Sequence, residues 1–419
     1  MKKVSSKAQN IADLRDMARR RLPRGLFEFV DRGSEDELTL NANRQAFENI
    51  RLYPRQLRDV ANRSMVTSLF GTTQSMPICI APTGAAGMLW HEGELAIARA
   101  AADADIPFSL STASITSMER IAEASRGTLW FQLYMWPKKE MSFELVRRAK
   151  AAGYHALIVT IDGVVTANRE YNRRNAFTIP MQLTPRNVAD AVLHPRWALG
   201  VMGRYLATTG MPEFANYPTE LRTSLRGSKG KILAPKNESI TWDDLRSLRE
   251  MWDRPLIVKG ILHPHDATLA LECGADAVIV SNHGGRNLDG AVTAMEALPG
   301  VVAAVGDRIP VLLDSGIVRG ADVIKALASG ASSVLVGRAP LWGVAAAGEE
   351  GVATALSILR AETYRVMGYL GCNSIEEIDR RVFEVEAAPK PRETTVARTA
   401  TSTFARDEAP TASIDHATA

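Results

Sequence analysis

Cysteine is scarce in this chain of 419 residues: Cys79, Cys273 and Cys372 lie far apart and follow no metal-ligand spacing. A disulfide scaffold and a thiolate metal centre are both excluded, and reduced thiols in a reducing compartment are expected. No uncharged apolar run reaches the roughly 18 residues that a membrane-spanning helix requires. Met1-Lys-Lys-Val is followed by Ser, Gln and Asn, so no secretory signal is expected either. An excess of one charge is also missing, with 50 basic against 47 acidic residues spread along the chain, which gives no footprint for nucleic acid. No Gly-x-Gly-x-x-Gly follows the first β-rich run, which argues against an open dinucleotide-binding sheet. What remains plentiful is apolar material, 46% of residues, enough for a large core.

That material is arranged in a repeat. Residues 8 to 48 read as two or three short helices broken at Leu22-Pro23-Arg24, a cap. Thereafter a short β-rich run, a polar turn and a helical segment recur eight times. The runs are 76–82, 107–111, 129–134, 156–162, 255–260, 277–282, 310–316 and 333–338. Strands alternating with helices demand a parallel sheet with right-handed crossovers, and eight such units predict a closed (β/α)8 TIM barrel. The domain is expected over 1–385, with a long insertion at 163–254 and a disordered tail at 386–419, where large apolar side chains almost disappear. Within the insertion, 179–216 mixes apolar and aromatic residues with Arg186, Arg196 and Arg204, a composition suited to a membrane interface or to packing over the barrel mouth.

In such a barrel the residues just after each strand share one face. Here they are Pro82-Thr83-Gly84, Ser111, Gln132 with Tyr134, Thr160 with Asp162, Lys259, Ser281 with His283, Asp314-Ser315-Gly316 and Gly337-Arg338. Few are apolar. His283 can exchange a proton near neutral pH, and Arg286 offers a planar fork that fits a carboxylate. Gly284 and Gly285 let the backbone pass close to a ligand. Ser111, Gln132 and Thr160 suit the edge of a flat heterocycle, and the glycine-rich ends of strands seven and eight suit a phosphate, so a phosphorylated planar cofactor is expected with Lys259 as a fixed cation beside it.

Ser281-Asn-His-Gly-Gly-Arg-x-Leu-Asp289, Lys259-Gly260, Trp130-Phe-Gln-Leu-Tyr134, Ala81-Pro-Thr-Gly84 and Asp314-Ser-Gly316 together resemble the FMN-dependent 2-hydroxy-acid dehydrogenase and oxidase family over about residues 10 to 385. The resemblance implies FMN as cofactor, His283 as catalytic base and Asp162 as its carboxylate partner, which favours the protonated imidazole. It implies Arg169 and Arg286 on the substrate carboxylate, with Tyr134 on the hydroxyl or carboxylate. FMN would meet Pro82, Thr83, Gly84, Ser111, Gln132, Thr160, Lys259 and Ser281, with its phosphate at Asp314, Ser315, Gly316, Gly337 and Arg338. No metal is implied. Two positions depart from the family pattern: Phe29 stands where a carboxylate-binding tyrosine is usual, and Val318 where a phosphate-binding arginine is usual, leaving Arg319 as the neighbour that could swing in.

The resemblance further implies a 2-hydroxy acid as substrate, a homo-oligomer (a tetramer), and a cytoplasmic protein peripheral to the inner face of the membrane, since in some members the corresponding insertion binds membranes. Gly84 and Ala113 are small and favour an aromatic or bulky acid, with a membrane quinone as acceptor. A soluble oxidase using oxygen is the alternative within the fold. A same-fold FMN protein that acts on a different specialised substrate, or only binds it, is the alternative outside that chemistry.

Overall fold

A computed structural model describes residue 4 and residues 7–177, 184–218 and 237–383. The expected tail at 386–419, part of the interfacial segment at 178–183 and the stretch 219–236 lie outside the described residues.

Eight parallel strands close into a barrel in sequence order, β3 (Ile78–Thr83), β4 (Phe108–Ser111), β5 (Leu129–Leu133), β6 (Ala156–Thr160), β7 (Leu256–Ile261), β8 (Ala277–Val280), β9 (Val311–Leu313) and β10 (Ser333–Val336), with β10 returning to pair with β3. All eight coincide with the runs read from sequence. Ahead of them a short hairpin, β1 (Thr67–Leu69) and β2 (Thr72–Gln74), was not anticipated. Its turn, Phe70-Gly71, takes positive φ at both residues, the geometry whose twist matches paired strands. The turn lays the Phe70 ring 5.9 Å from the Trp130 ring in the barrel interior.

Strand periodicity explains how an apolar barrel acquires a polar rim. Side chains alternate faces, so Trp130, Ile158, Ile257 and Ile279 fill the interior while Phe131, Leu157, Val159 and Val258 pack outward against the helices. The next inward residue on β5, β6 and β7 is Gln132, Thr160 and Lys259, each at the C-terminal end of its strand. The same two-residue step that buries the core therefore raises the functional groups to one face.

The cap folds as three helices, α1 (Ile11–Arg21), α2 (Arg24–Asp31) and α3 (Leu38–Asn49), with Pro23 separating the first two. It is fastened to the loop after β8. Asn43 and Asn282 exchange two buried amide hydrogen bonds of 2.9 and 2.8 Å, and the Asp289 carboxylate accepts from the backbone N–H of Leu38 and Thr39 at the start of α3. Gly285, at φ +70°, permits this approach: a Cβ there would stand 2.5 Å from the Leu40 nitrogen. The close neighbour that this glycine admits is the cap.

In the insertion, helical segments at Pro185–Leu193, Pro195–Trp197 and Arg204–Thr208 flank a wider π-helical turn at 198–203. Trp197, Val201 and Tyr205 recur every four residues and are all buried. The Trp197 indole donates to Met88 O (2.7 Å), and Tyr205 Oη accepts from Glu92 N–H (3.0 Å). Two aromatics that composition suggests as interfacial anchors are instead pins holding the segment to the loop after β3. The exposed apolar side chains are others: Val192 (70%), Leu193 (76%), Leu199 (73%) and Leu206 (60%). Among the described residues no helix is long and apolar enough to cross a membrane.

Candidate active site

The strand ends open into a cavity of about 680 Å³, bounded by the cap on one side and the insertion on the other. Of the residues expected there, Phe29, Pro82, Thr83, Gly84, Ser111, Tyr134, Thr160, Arg169, Lys259, His283, Arg286, Asp314, Ser315, Gly316, Arg319, Gly337 and Arg338 line it. Asp162, Gln132 and Ser281 stand directly behind that wall as hydrogen-bond partners of His283, Ser111 and Lys259.

His283 sits at φ +59°, a strained value for a non-glycine residue that turns its side chain into the cavity. Its Nδ1 lies 2.9 Å from Asp162 Oδ1, which assigns the Nδ1–H tautomer and leaves Nε2 as the acceptor facing the cavity, 3.4 Å from Tyr134 Oη. Burial holds the imidazole below its ordinary pKa; Asp162 pulls the other way, while Lys259 and Arg169 add to the lowering. Asp162 alone would favour the protonated ring, as anticipated, but the net effect is the opposite. A neutral imidazole at neutral pH is a base ready to accept a proton. Asp162 stays ionised despite burial, because His283 and Lys259 pull its pKa down. Its second oxygen, Oδ2, has no partner among the described residues.

Lys259 is buried and bridges Ser281 Oγ (2.8 Å) and Asp314 Oδ2 (3.1 Å). Burial opposes its charge, yet Asp314 and Asp162 outweigh that and raise its pKa. Asp314 thus serves the lysine, and Ser315 Oγ donates to its other oxygen. Of the residues expected at a phosphate, Ser315, Gly316, Gly337 and Arg338 line the cavity. Arg319 forms an ion pair with Glu362 at 2.9 Å, so it is engaged away from a phosphate; Val318 lines the cavity as a plain apolar side chain.

Arg169, Arg286 and Arg338 all reach this cavity with little acidic compensation. Desolvation lowers the pKa of each, and Arg286 is pushed down further by Arg169 and Arg338. Three guanidinium groups crowded out of water call for anions. At the ends of β5 and β6, Thr160 Oγ1 and Gln132 Nε2 are buried without partners among the described residues. Orphaned polar atoms at the strand ends beneath this cavity are what a heterocycle with polar edges would satisfy, and an anionic tail would meet Arg338; the residues present fit FMN.

The family model for FMN-dependent dehydrogenases matches residues 18–385. The chain belongs to that family. It is 42% identical over 375 residues to the (S)-mandelate dehydrogenase of Pseudomonas putida, covering 90% of this chain and 93% of that one. It is 40% identical to the L-lactate dehydrogenase of Caulobacter sp. (strain K31), covering 88% and 97%. A crystal structure of the monotopic membrane protein (S)-mandelate dehydrogenase superposes with a TM-score of 0.85 at 42% identity, covering 90% of this chain and all of that one. This member of the family is therefore an FMN-dependent oxidoreductase acting on the CH–OH group of 2-hydroxy acids.

Sequence reasoning missed part of the wall. Trp136, Phe214, Tyr217 and Ile240 line the cavity. Phe214 stacks on Tyr217 at 4.7 Å, and Tyr217 meets Trp136 edge-on at 4.9 Å. Phe214 and Tyr217 come from an irregular stretch in the middle of the insertion, where no periodicity announces which side chains return to the barrel mouth.

Proposed function

We propose that the enzyme oxidises an aromatic or similarly bulky L-2-hydroxy acid to the 2-keto acid and passes the electrons to a quinone at a membrane surface. The observation that carries the catalytic reading is the imidazole of His283, tied through Nδ1 to Asp162 and presenting Nε2 beside Tyr134 Oη to a cavity flanked by Arg169 and Arg286. The two arginines would hold the carboxylate, Arg286 by its planar fork, which fixes the hydroxyl-bearing carbon beside Tyr134 and His283. The substrate gives up two electrons and two protons in becoming the keto acid; His283 Nε2 takes one proton, and Asp162 stabilises the imidazolium so formed. FMN, when bound, would supply the acceptor for the two electrons and the second proton. Lys259, kept charged by Asp314, places a fixed positive charge beside Ser281 at the end of the barrel.

The preference for a bulky acid rests on the aromatic part of the cavity wall. Trp136, Phe214 and Tyr217 form an aromatic surface, and Gly84 lies against Ala113, where a Cβ at 84 would meet the Ala113 oxygen at 3.1 Å and its Cβ at 3.3 Å. Aromatic side chains bind such surfaces by area and by edge-to-face contact. The membrane assignment rests on Val192, Leu193, Leu199 and Leu206 exposed together on one segment with Arg186, Arg196 and Arg204, which suits the surface of an anionic leaflet, on the cytoplasmic side of the membrane.

The test is anaerobic addition of (S)-mandelate, other aromatic 2-hydroxy acids and L-lactate to purified holoenzyme, followed by loss of flavin absorbance. Fast bleaching by the aromatic acids supports the reading. Bleaching by L-lactate alone would overturn the substrate preference, and rapid reoxidation by oxygen with no response to a quinone would favour the soluble oxidase.

A further inference from the structure

The aromatic part of the cavity wall hangs from a buried amide. Phe214 and Tyr217 line the cavity, whereas Asn216 between them is fully buried and is not among the lining residues. Its side chain is committed to the loop after β4. Asn216 Nδ2 donates to Ser114 Oγ (2.6 Å) and to the Thr116 carbonyl (3.2 Å). Its Oδ1 accepts from the Met118 N–H (2.9 Å) at the start of the helix Met118–Ala124, where backbone donors have no partner within the helix. Both donor and acceptor ends of the amide are thus used. Beside it the Ala215 N–H donates to the Ser114 carbonyl at 3.1 Å, and Ser114 Oγ donates on to the Thr116 carbonyl at 2.9 Å. Among the described residues no helix runs between Thr208 and Trp242, so bonds of this kind fix where the two rings stand. The same loop begins at Ala113, which lines the cavity, lies against Gly84 and accepts from the Ala85 N–H at 2.8 Å. One loop therefore carries the small-residue part of the wall directly and the aromatic part through Asn216.

We propose that Asn216 is a positioning residue for substrate selectivity: by clamping residues 214–217 to the loop after β4, it sets the aromatic rings relative to Gly84 and Ala113 and so the room left for the side chain of the hydroxy acid. This deepens the reading above and rests on it for the aromatic wall as the surface that meets that side chain. Ring contacts depend on the distance and angle between the rings, so an aryl group is sensitive to a shift of the wall. A methyl group, with little surface to bury, is not.

Asn216→Ala removes all three side-chain bonds. Dissociation constants for (S)-mandelate and L-lactate are read from anaerobic stopped-flow titration of flavin bleaching, and FMN affinity from the fluorescence change when apoprotein is reconstituted. The constant for (S)-mandelate is expected to rise about tenfold and that for L-lactate by less than about threefold, with FMN affinity unchanged. A merely structural role would weaken both acids and FMN together. That outcome, or an unchanged ratio of the two dissociation constants, would overturn the proposal. Should Asn216→Ala not fold, Ser114→Ala removes the acceptor at 2.6 Å and decides on the same ratio. A shift of about threefold against (S)-mandelate is expected there, and no shift would refute the clamp. Phe214→Ala, measured alongside, separates the two levels: an unchanged ratio in that variant counts against the reading of the aromatic wall itself, whereas a shifted ratio there with none in the Asn216 and Ser114 variants counts against the clamp alone.

Discussion

Replacing Asp162 by Asn tests how the base is tuned. The substitution keeps the shape in a place that tolerates little else, because a Cβ on the neighbouring Gly260 would already stand 2.6 Å from the Asp162 Cβ. The loop should stay in place through the Asp162 carbonyl, which accepts from Asn287 Nδ2 at 2.7 Å. What is lost is a charged acceptor 2.9 Å from His283 Nδ1. A hydrogen bond to a charged group contributes about 1.5–3 kcal/mol, so the step that creates the imidazolium should slow by roughly 10- to 150-fold. The pH profile gives the sign independently. Burial, Lys259 and Arg169 hold His283 low while Asp162 raises it; removing the raising partner lowers the imidazole further. The acid limb of the bleaching rate, where protonation removes the base, should therefore move to lower pH in the variant. Stopped-flow reduction under anaerobic conditions from pH 5 to 9 measures both effects. An acid limb that stays put or moves upward, or a rate within about threefold of wild type, would show that Asp162 does not act on the base.

Other outcomes follow from the same geometry. His283→Ala should retain FMN yet lose about 10²- to 10⁴-fold in bleaching rate, measured at saturating substrate; an undiminished rate would remove the imidazole from the reaction. Phe29 lines the cavity with the Arg286 guanidinium 5.4 Å from its ring centroid, so Phe29→Tyr adds a donor next to the carboxylate clamp and should tighten small 2-hydroxy acids, by up to about 1.5–3 kcal/mol if the new bond is charged. No change in Kd for any acid would count against that position touching substrate. Changing Leu193, Leu199 and Leu206 together to Ser should release the protein from anionic vesicles in a sedimentation assay while leaving substrate bleaching intact, because these side chains point away from the barrel; vesicle binding at the wild-type level would refute the interfacial reading.

The barrel was legible because its signal is repetitive: eight β-rich runs of five to seven residues, each ending in polar or glycine residues, can hardly be satisfied by another architecture. Site residues at the strand ends were legible for the same reason, as the position after each strand is fixed by the fold. The hairpin at 67–74 escaped because its three-residue strands are too short to show alternation. The aromatic wall of Phe214 and Tyr217 escaped because it is delivered by an irregular segment. Trp197 and Tyr205 were misplaced by composition, which records that a segment is amphipathic and says nothing of which side faces the protein. Four-residue spacing of Trp197, Val201 and Tyr205 was the available sign of an inward stripe, with the more exposed leucines falling between.

The His-Gly-Gly-Arg stretch shows why motif and mechanism must be separated residue by residue. Read as chemistry, it supplies a base and a carboxylate fork. In the folded chain His283 and Arg286 line the cavity, as that reading requires, while Asn282, Gly285 and Asp289 hold the N-terminal cap. Gly284 seats Arg338, and Asn287 steadies the Asp162 loop. One segment thus carries the proposed base and clamp and also fastens the cap. A substitution at Gly285 or Asp289 should consequently impair catalysis without touching a reacting atom, by letting α3 drift from the loop, and its signature would be weaker cofactor and substrate binding with the His283 pH limb unmoved.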